Sequence, residues 1–291
     1  MEWERSRAAV PRFEFLAEAG STNDELREAA TGADASGWPH GAVIVTDNQT
    51  KGRGRLGRTW LAPTGKTLAI SMLLRPELPG GRAFPVSGYG WIPLIAGAAM
   101  TEAVRGAVDA ATAVRAAADP EHDDDDRSGV VDVELKWPND VLVSGYKICG
   151  ILSELLQAPA DDAPGAVVVG AGLNLTLDEH DLPTLTSTSL LLATGVRPDG
   201  DAVLADYLTR FLTLFGDFCD AGADPVASGV DRRVAALCGT LGSEVRVELP
   251  GDRELLGRAE RLDADGRLVV IDRENGEPWS VAAGDVTHLR Y

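Results

Sequence analysis

The sequence predicts an α+β fold, a mixed sheet with packed helices, followed by a small C-terminal β-barrel. Two features carry this expectation. Through about residue 235, short β-branched apolar runs alternate with two long helical patterns. Beyond about residue 240 the chain changes to short alternating strands divided by turns, the texture of a barrel of about 50 residues. The expected division is one unit over 1–235 and a second over 236–291.

The elements follow in order. TNDELREAAT (22–31) reads as a short helix capped by Ser21 or Thr22, with Glu25 placed to complete a capping box with Thr22. GAVIVTDNQ (41–49) is a buried strand leading into the glycine-rich stretch TKGRGRLGRTW (50–60). TLAISMLLRP (67–76) is a second strand, stopped at Pro76. WIPLIAGAAMTEAVRGAV (91–108) is Ala-rich and free of breakers after Pro93, as a buried helix requires. ADPEHDDDDRSG (118–129) carries six acidic residues and reads as a solvated, disordered insertion. Strands are expected at 130–137, 147–157 and 166–176. A helix over 201–222 places Leu204, Tyr207, Leu208, Phe211, Leu212 and Phe215 on one face. EVRVEL, LLGRAERLD, RLVVID and WSVAAGDVTHLR supply the closing strands.

Composition narrows the function. The chain has 45 acidic and 27 basic residues, a formal net charge of -18, which argues against general nucleic-acid binding. No stretch approaches the roughly 20 apolar residues of a membrane helix, and MEWERSRAAVPRFEF has no apolar core of signal-peptide length. Cys149, Cys219 and Cys238 are scattered and odd in number, which suits a reducing cytoplasm. Against this acidic background, Lys51, Arg53, Arg55 and Arg58 stand together in one stretch with Gly52, Gly54 and Gly57, which give it no helix or strand preference. Four cations on a flexible segment are suited to closing around an anion.

The motifs need their contexts. GRGRLG matches G-x-G-x-x-G, but a Pro, a Gly and a strand follow where a dinucleotide site needs a helix. APTGKT ends like a P-loop, yet Trp60 stands where that motif needs its first glycine. In KWPNDVLVSGYKICG (136–150), Lys136 and Lys147 flank a hairpin turning at Ser144–Gly145. Folded back, the two ammonium groups and Asp140 form a set able to hold a phosphate and its Mg²⁺, with Asp140 on the metal or its water. Gly170 and Gly172 sit inside a strand-like run, a mark either of a bulge or of close backbone approach by a ligand. The four histidines show no metal-ligand spacing.

Taken together, STN (21–23), GRGRLGRTW (52–60), KWPND (136–140), GYKICGILSE (145–154) and GAGLNL (170–175) resemble the biotin protein ligase family, in its order and approximate spacing, from about Glu18 to the C-terminus. The resemblance implies a catalytic domain of the biotin/lipoyl ligase type, like the class II synthetases, with helices on one face of its sheet and an SH3-like C-terminal barrel. It implies two reactions. Biotin and ATP give biotinyl-5′-AMP and pyrophosphate, and a lysine of a biotin carboxyl carrier protein then takes the biotin and releases AMP.

By the same resemblance, Ser21, Thr22, Asn23 and Gln49 hold biotin's ureido ring and its neighbourhood, and Gly150, Gly170 and Gly172 line its pocket. Gly52, Arg53 and Arg55 belong to a lid over the bound adenylate that exchanges between open and closed forms, with residues 51–58 mobile. Arg58, Trp60, Lys136, Asn139 and Asn174 serve the nucleotide, Trp60 offering a face to adenine. Lys147 and Arg55 stabilise the reacting charge, and Asp140 serves Mg²⁺ or the incoming amine.

Some bacterial members carry an N-terminal DNA-binding domain, and the roughly 20 residues before Ser21 lead to the expectation of no DNA binding and a monofunctional form. The acidic insertion is not part of the family pattern, and Leu56 stands where some members carry a further cation. The rival readings are a lipoate or octanoate ligase, a non-catalytic biotinyl-AMP-binding regulator, and a nucleic-acid module using the Arg stretch. The paired GRGRLGR and KWPND stretches favour biotin.

Overall fold

The computed structural model describes residues 2–118, 131–156, 165–249, 253–282 and 285–289. Of the acidic insertion expected at 118–129, Ala118 ends a helix and residues 119–129 lie outside the described residues. Helix α1 (Glu4–Ala9), β1 (Phe13–Leu16), α2 (Thr22–Thr31) and β2 (Val43–Thr46) open the chain. A hairpin of β3 (Gln49–Arg53) and β4 (Thr59–Ala62) precedes β5 (Thr67–Leu74) and the two-residue strands β6 (Glu77–Leu78) and β7 (Arg82–Ala83). Helix α3 (Ile92–Ala118) leads to β8 (Val133–Lys136), β9 (Asp140–Val143), β10 (Tyr146–Leu156) and β11 (Ala166–Asn174). Helices α4 (Leu190–Thr194), α5 (Gly200–Asp220), α6 (Pro225–Ser228) and α7 (Val230–Leu237) follow. The last strands are β12 (Glu244–Leu249), β13 (Arg253–Leu262), β14 (Leu268–Asp272), β15 (Pro278–Val281) and β16 (Asp285–His288).

The large sheet has the order β1-β2-β5-β11-β10-β9-β8. It is mixed as expected, with β1 parallel to β2 and its remaining pairs antiparallel. Strand periodicity then sorts the faces. Val167, Val169, Ala171 and Leu173 of β11, with Leu68, Ile70, Met72 and Leu74 of β5, join the main core beneath α3 and α5. The opposite face at one end carries a smaller cluster in which Leu26 and Ala30 of α2 meet Ile44, Leu73 and Val168. Two long helices therefore cover one face, while short α2 covers part of the other. The uncovered part of that second face is where the cleft opens.

Helix α3 runs ten residues past the expected end at 108, because AVDAATAVRAAA continues its Ala-rich, breaker-free pattern. Helix α5 is capped by Asp199, whose carboxylate accepts from the amides of Asp201 and Ala202. Five of its six predicted core residues are fully enclosed, and Leu212 is partly buried against the same core.

The second sheet has the order β15-β14-β13-β12-β16 and is antiparallel throughout. The expected barrel is thus a five-stranded ladder with no pairing of β15 to β16 among the described residues. Val245, Val247, Leu255, Leu268 and Val270 belong to the same core as α3. A parallel bridge between Leu135 and Cys238, and the Gly239 amide donating to the Leu135 carbonyl at 3.0 Å, join this part to β8. Among the described residues no helix is long and apolar enough to cross a membrane.

Glu102 ties three helices together. On α3, it accepts from Arg210 of α5 at 3.0 Å and from two nitrogens of Arg233 of α7 at 2.8 and 2.7 Å. Burial works to raise its carboxyl pKa, but the hydrogen bonds and charge of Arg233 and Arg210 outweigh burial and hold it below the usual range. A carboxyl depressed in the folded state stabilises above its unfolded pKa, about 4.3 for Glu, and loses that contribution as pH falls through the folded value. Glu102→Gln should therefore lower the melting temperature at pH 7. The gap to the parent protein should narrow as melts are repeated at successively lower pH below that unfolded pKa.

Candidate active site

The cleft is floored by glycine. In the antiparallel register of β10 and β11, Gly150 faces Gly172 and Leu152 faces Gly170. A Cβ on Gly172 would stand 2.4 Å from the Trp60 indole, and one on Gly170 would stand 2.4 Å from Asn23 Oδ1. One on Gly150 would stand 3.1 Å from Lys147 Nζ. Each missing methyl is space that another site residue uses. The resulting cleft has a volume of about 750 Å³.

One end is a polar pocket. Gln49 Oε1 accepts from the Thr22 amide at 2.9 Å and the Thr22 hydroxyl at 3.2 Å. The Ser71 hydroxyl lies 2.6 Å from Asn23 Oδ1 and 2.8 Å from Thr22 Oγ1. Asn23 Nδ2 donates to Glu154 Oε2 at 2.7 Å. Ser21, Thr22, Asn23 and Ser71 are all buried. This use of Thr22 explains why the expected cap does not form. Ser21 occupies the N-cap position without a side-chain bond, and the Thr22 hydroxyl faces the cleft instead of closing a box with Glu25.

The cationic stretch is the β3–β4 hairpin, closed by a 3₁₀ turn over Arg55–Gly57, with Gly57 at φ +73°. Its glycines were read as favouring no strand. Pairing overrides them: Gly52 faces Trp60, where a Cβ would stand 2.5 Å from the Trp60 carbonyl oxygen. Residues 51–58 thus fall on this hairpin and its turn. Arg53 Nη2 reaches Asp24 at 2.7 Å and Glu154 at 3.4 Å, and Arg27 meets Glu154 at 2.9 Å. Arg55 Nη1 donates to Asn139 Oδ1 at 2.7 Å. Arg53, Arg55, Arg58 and Trp60 line the cleft.

The other end is built on the β9–β10 hairpin, which turns at Ser144 and Gly145 as expected, with φ of 49° and 80°. Lys147 Nζ sits 2.7 Å from Asp140 Oδ1 and 5.9 Å from the centre of the Trp60 ring. Lys136 is the cross-strand partner of Asp140, and both line the cleft. Asn139 is held by its Nδ2 donating to the Ile151 carbonyl at 2.8 Å. Cys149, beside Lys147, is enclosed, and burial pushes its thiol far above the ordinary range, so it offers no nucleophile.

The sequence-predicted residues Ser21, Thr22, Asn23, Gln49, Arg53, Arg55, Arg58, Trp60, Lys136, Asn139, Asp140, Lys147, Gly150, Gly170 and Gly172 therefore share one cleft. Gly52 and Asn174 do not line it. Gly52 packs inside the hairpin, and Asn174 Nδ2 donates to the Thr188 carbonyl at 2.9 Å. Through that bond Asn174 anchors a segment the sequence did not reveal. Residues 184–188 run beside Lys147, whose amide donates to the Thr186 carbonyl at 2.7 Å. Ser71, Thr287 and His288 were also missed; Ser71 had only the inward phase of its strand as a signal.

Among the described residues no three His, Cys, Asp or Glu side chains converge as a metal site. A single carboxylate, Asp140, faces the cleft's cationic end. That donor set fits Mg²⁺ held mainly by substrate phosphates, with one protein carboxylate. The floor makes a direct test. Gly172→Ala should push Trp60 off the sheet, shift its fluorescence, and weaken ligand binding in the cleft by about tenfold or more, since overpacking of this size costs about 1–3 kcal/mol.

Comparison with known proteins agrees with this geometry. Residues 21–174 match the Biotin/lipoate A/B protein ligase family, and residues 240–289 match the Biotin protein ligase C terminal domain. The biotin--[acetyl-CoA-carboxylase] ligase of Mycobacterium tuberculosis is 34% identical over 280 residues, covering 96% of this chain and 90% of that protein. The bifunctional ligase/repressor BirA of Bacillus subtilis is 30% identical over 248 residues, covering 81% of this chain and 63% of that protein. The biotin protein ligase of Aquifex aeolicus in complex with biotin and ATP superposes with a TM-score of 0.69 at 24% identity, covering 96% of this chain and all of that one, a likeness of fold. With its cleft, both matched segments and this run of relatives, the chain belongs to the biotin protein ligase family.

Proposed function

We propose that this protein activates biotin with ATP and transfers it to a lysine of a biotin carboxyl carrier protein. The observation that carries the reading is the polarity of one cleft. Neutral hydrogen-bonding groups close one end, while Lys147, Asp140, Arg55 and Asn139 hold paired charge and amide groups at the other. A neutral ureido ring suits the first end, and a carboxylate meeting a triphosphate suits the second.

In the first step, a biotin carboxylate oxygen attacks the α-phosphorus of ATP, a new P–O bond forms, and the bond to pyrophosphate breaks. Negative charge gathers on the α-phosphate oxygens. Lys147, already held over the Trp60 face, supplies a fixed cation there, and Arg55 and Arg58 add charge from the hairpin. Asn139 keeps Arg55 in place. Asp140 would be the protein carboxylate available to Mg²⁺, which when bound would supply charge neutralisation.

In the second step, the carrier's amine attacks the acyl carbon of the mixed anhydride, the C–O bond breaks, and AMP leaves. Asp140, the carboxylate that lines the cleft, takes the proton lost from nitrogen. Ser21, Thr22, Asn23 and Gln49 orient biotin over the floor of Gly150, Gly170 and Gly172. Trp60, which lines the cleft, offers its indole to adenine. Asn174 acts by anchoring the segment beside Lys147. Arg53 acts by joining the hairpin to α2 and β10 through Asp24 and Glu154. The low cysteine content and their burial suit a reducing, cytoplasmic setting.

The test is pyrophosphate–ATP exchange by the purified protein, with biotin or lipoate supplied separately. Exchange with biotin alone is the expected result. Exchange with lipoate alone would reassign the substrate, and exchange with neither would remove the reading. Lys147→Met should lower biotin-dependent exchange by about 10²–10³, the scale for removing one preorganised charge-stabilising group.

A further inference from the structure

The KWPND loop is not held by its own sheet alone. Trp137 is buried and precedes Asn139 and Asp140 by two and three residues. Its backbone amide donates to the Thr240 hydroxyl at 3.0 Å, and its indole Nε1 donates to the Gly266 carbonyl at 3.1 Å. Both partners lie outside the large sheet, in the C-terminal part. Thr240 is fully enclosed, and its oxygen also lies 3.0 Å from His288 Nε2. His288, with Thr287, lines the wall of the cleft.

The fit around these bonds is tight. A Cβ on Gly239 would fall within bonding distance of the Glu134 carboxylate, and one on Gly90 would stand 2.2 Å from the Asp265 carbonyl oxygen. Trp91 Nε1 donates to the Ala264 carbonyl at 2.8 Å, so a second indole grips the same 263–266 turn. The loop that carries the partners of Arg55 and Lys147 is thus pinned from the C-terminal side at both its backbone and its side chain. A buried amide left without its acceptor would not stay in place.

We propose that Thr240 is a positioning residue for adenylate formation, setting Asn139 and Asp140 through the Trp137 amide and linking that loop to His288 on the cleft wall. Thr240 touches no reacting atom. It fixes the two side chains that hold Arg55 and Lys147, while the ureido end of the cleft, built on α2, β3 and β5, is independent of it. The inference rests on the adenylation reading, and the two fail separately. Biotin-dependent exchange by the parent protein tests the reading, and variants compared with it test Thr240.

The experiment uses Thr240→Val, which keeps shape and removes the acceptor, beside Thr240→Ser, which keeps the hydroxyl. Biotin binding by calorimetry gives the number of intact sites and the biotin Kd, so that kcat is expressed per competent site. The expected result for Thr240→Val is an unchanged biotin Kd with exchange kcat lowered about tenfold or more, since small misplacements of reacting groups have effects of this order. Thr240→Ser should restore it. Thr240→Val with parent kcat per site, or a loss that Thr240→Ser fails to restore, would overturn the proposal. Should Thr240→Val not fold, Thr240→Ala removes the same acceptor and carries the same criteria, with parent kcat per site again overturning the proposal.

Discussion

The structure depends on a missing row of side chains. Along β10 and β11, one face presents Ile151, Val169, Ala171 and Leu173 to the helical core, while the other presents Gly150, Gly170 and Gly172. Strand alternation makes these two facts one constraint, because a shift of one residue would bury the glycines and expose the aliphatic chains. The bare backbone lets Asn23 and the Trp60 indole lie directly on the sheet. Asn23 comes from α2 and Trp60 from the β3–β4 hairpin. The glycine face therefore locates two separate elements against each other, and the cleft is the space between them.

Charge is arranged on that frame without being left bare. The chain carries a formal net charge of -18, yet the cleft collects Arg53, Arg55, Arg58, Lys136 and Lys147. Arg53 is met by Asp24 and Glu154, Arg55 by Asn139, and Lys147 by Asp140. A partly buried cation without a partner would turn to solvent. Local acceptors keep the cations pointed inward before any ligand arrives. A phosphate then replaces or joins an existing partner, and little rearrangement remains for the moment of reaction.

Much of this was legible in the sequence, for a physical reason. The residues that line the cleft sit in short runs whose order and chemistry are dictated locally: STN at a helix start, KWPND at a hairpin, glycines inside a strand. The main strands were legible too, from β-branched runs of the right length. What the sequence hid was non-local. GRGRLGR looks structureless by propensity and becomes a hairpin because Gly52 must admit the Trp60 backbone. Thr22 looks like a capping residue and is instead drawn to Gln49 and Ser71, which are 27 and 49 residues away. Residues 184–188 carry no pattern, yet their backbone runs along Lys147. Helix α3 outran its expected end because nothing in its Ala-rich continuation told it to stop.

The least legible relation is that between the two sheets. The division expected at 235/236 does not say whether the two parts have separate cores. The core is continuous, and two buried indoles, Trp91 and Trp137, find their acceptors on a single turn of the second sheet. An indole N–H buried without a partner is unfavourable enough that neither tryptophan reaches its observed place unless that turn is present. Trp137 immediately precedes the loop that orients Arg55 and Lys147. The geometry of the charged end of the cleft therefore depends on the second sheet, although Arg55, Lys147, Asn139 and Asp140 all precede it in the chain.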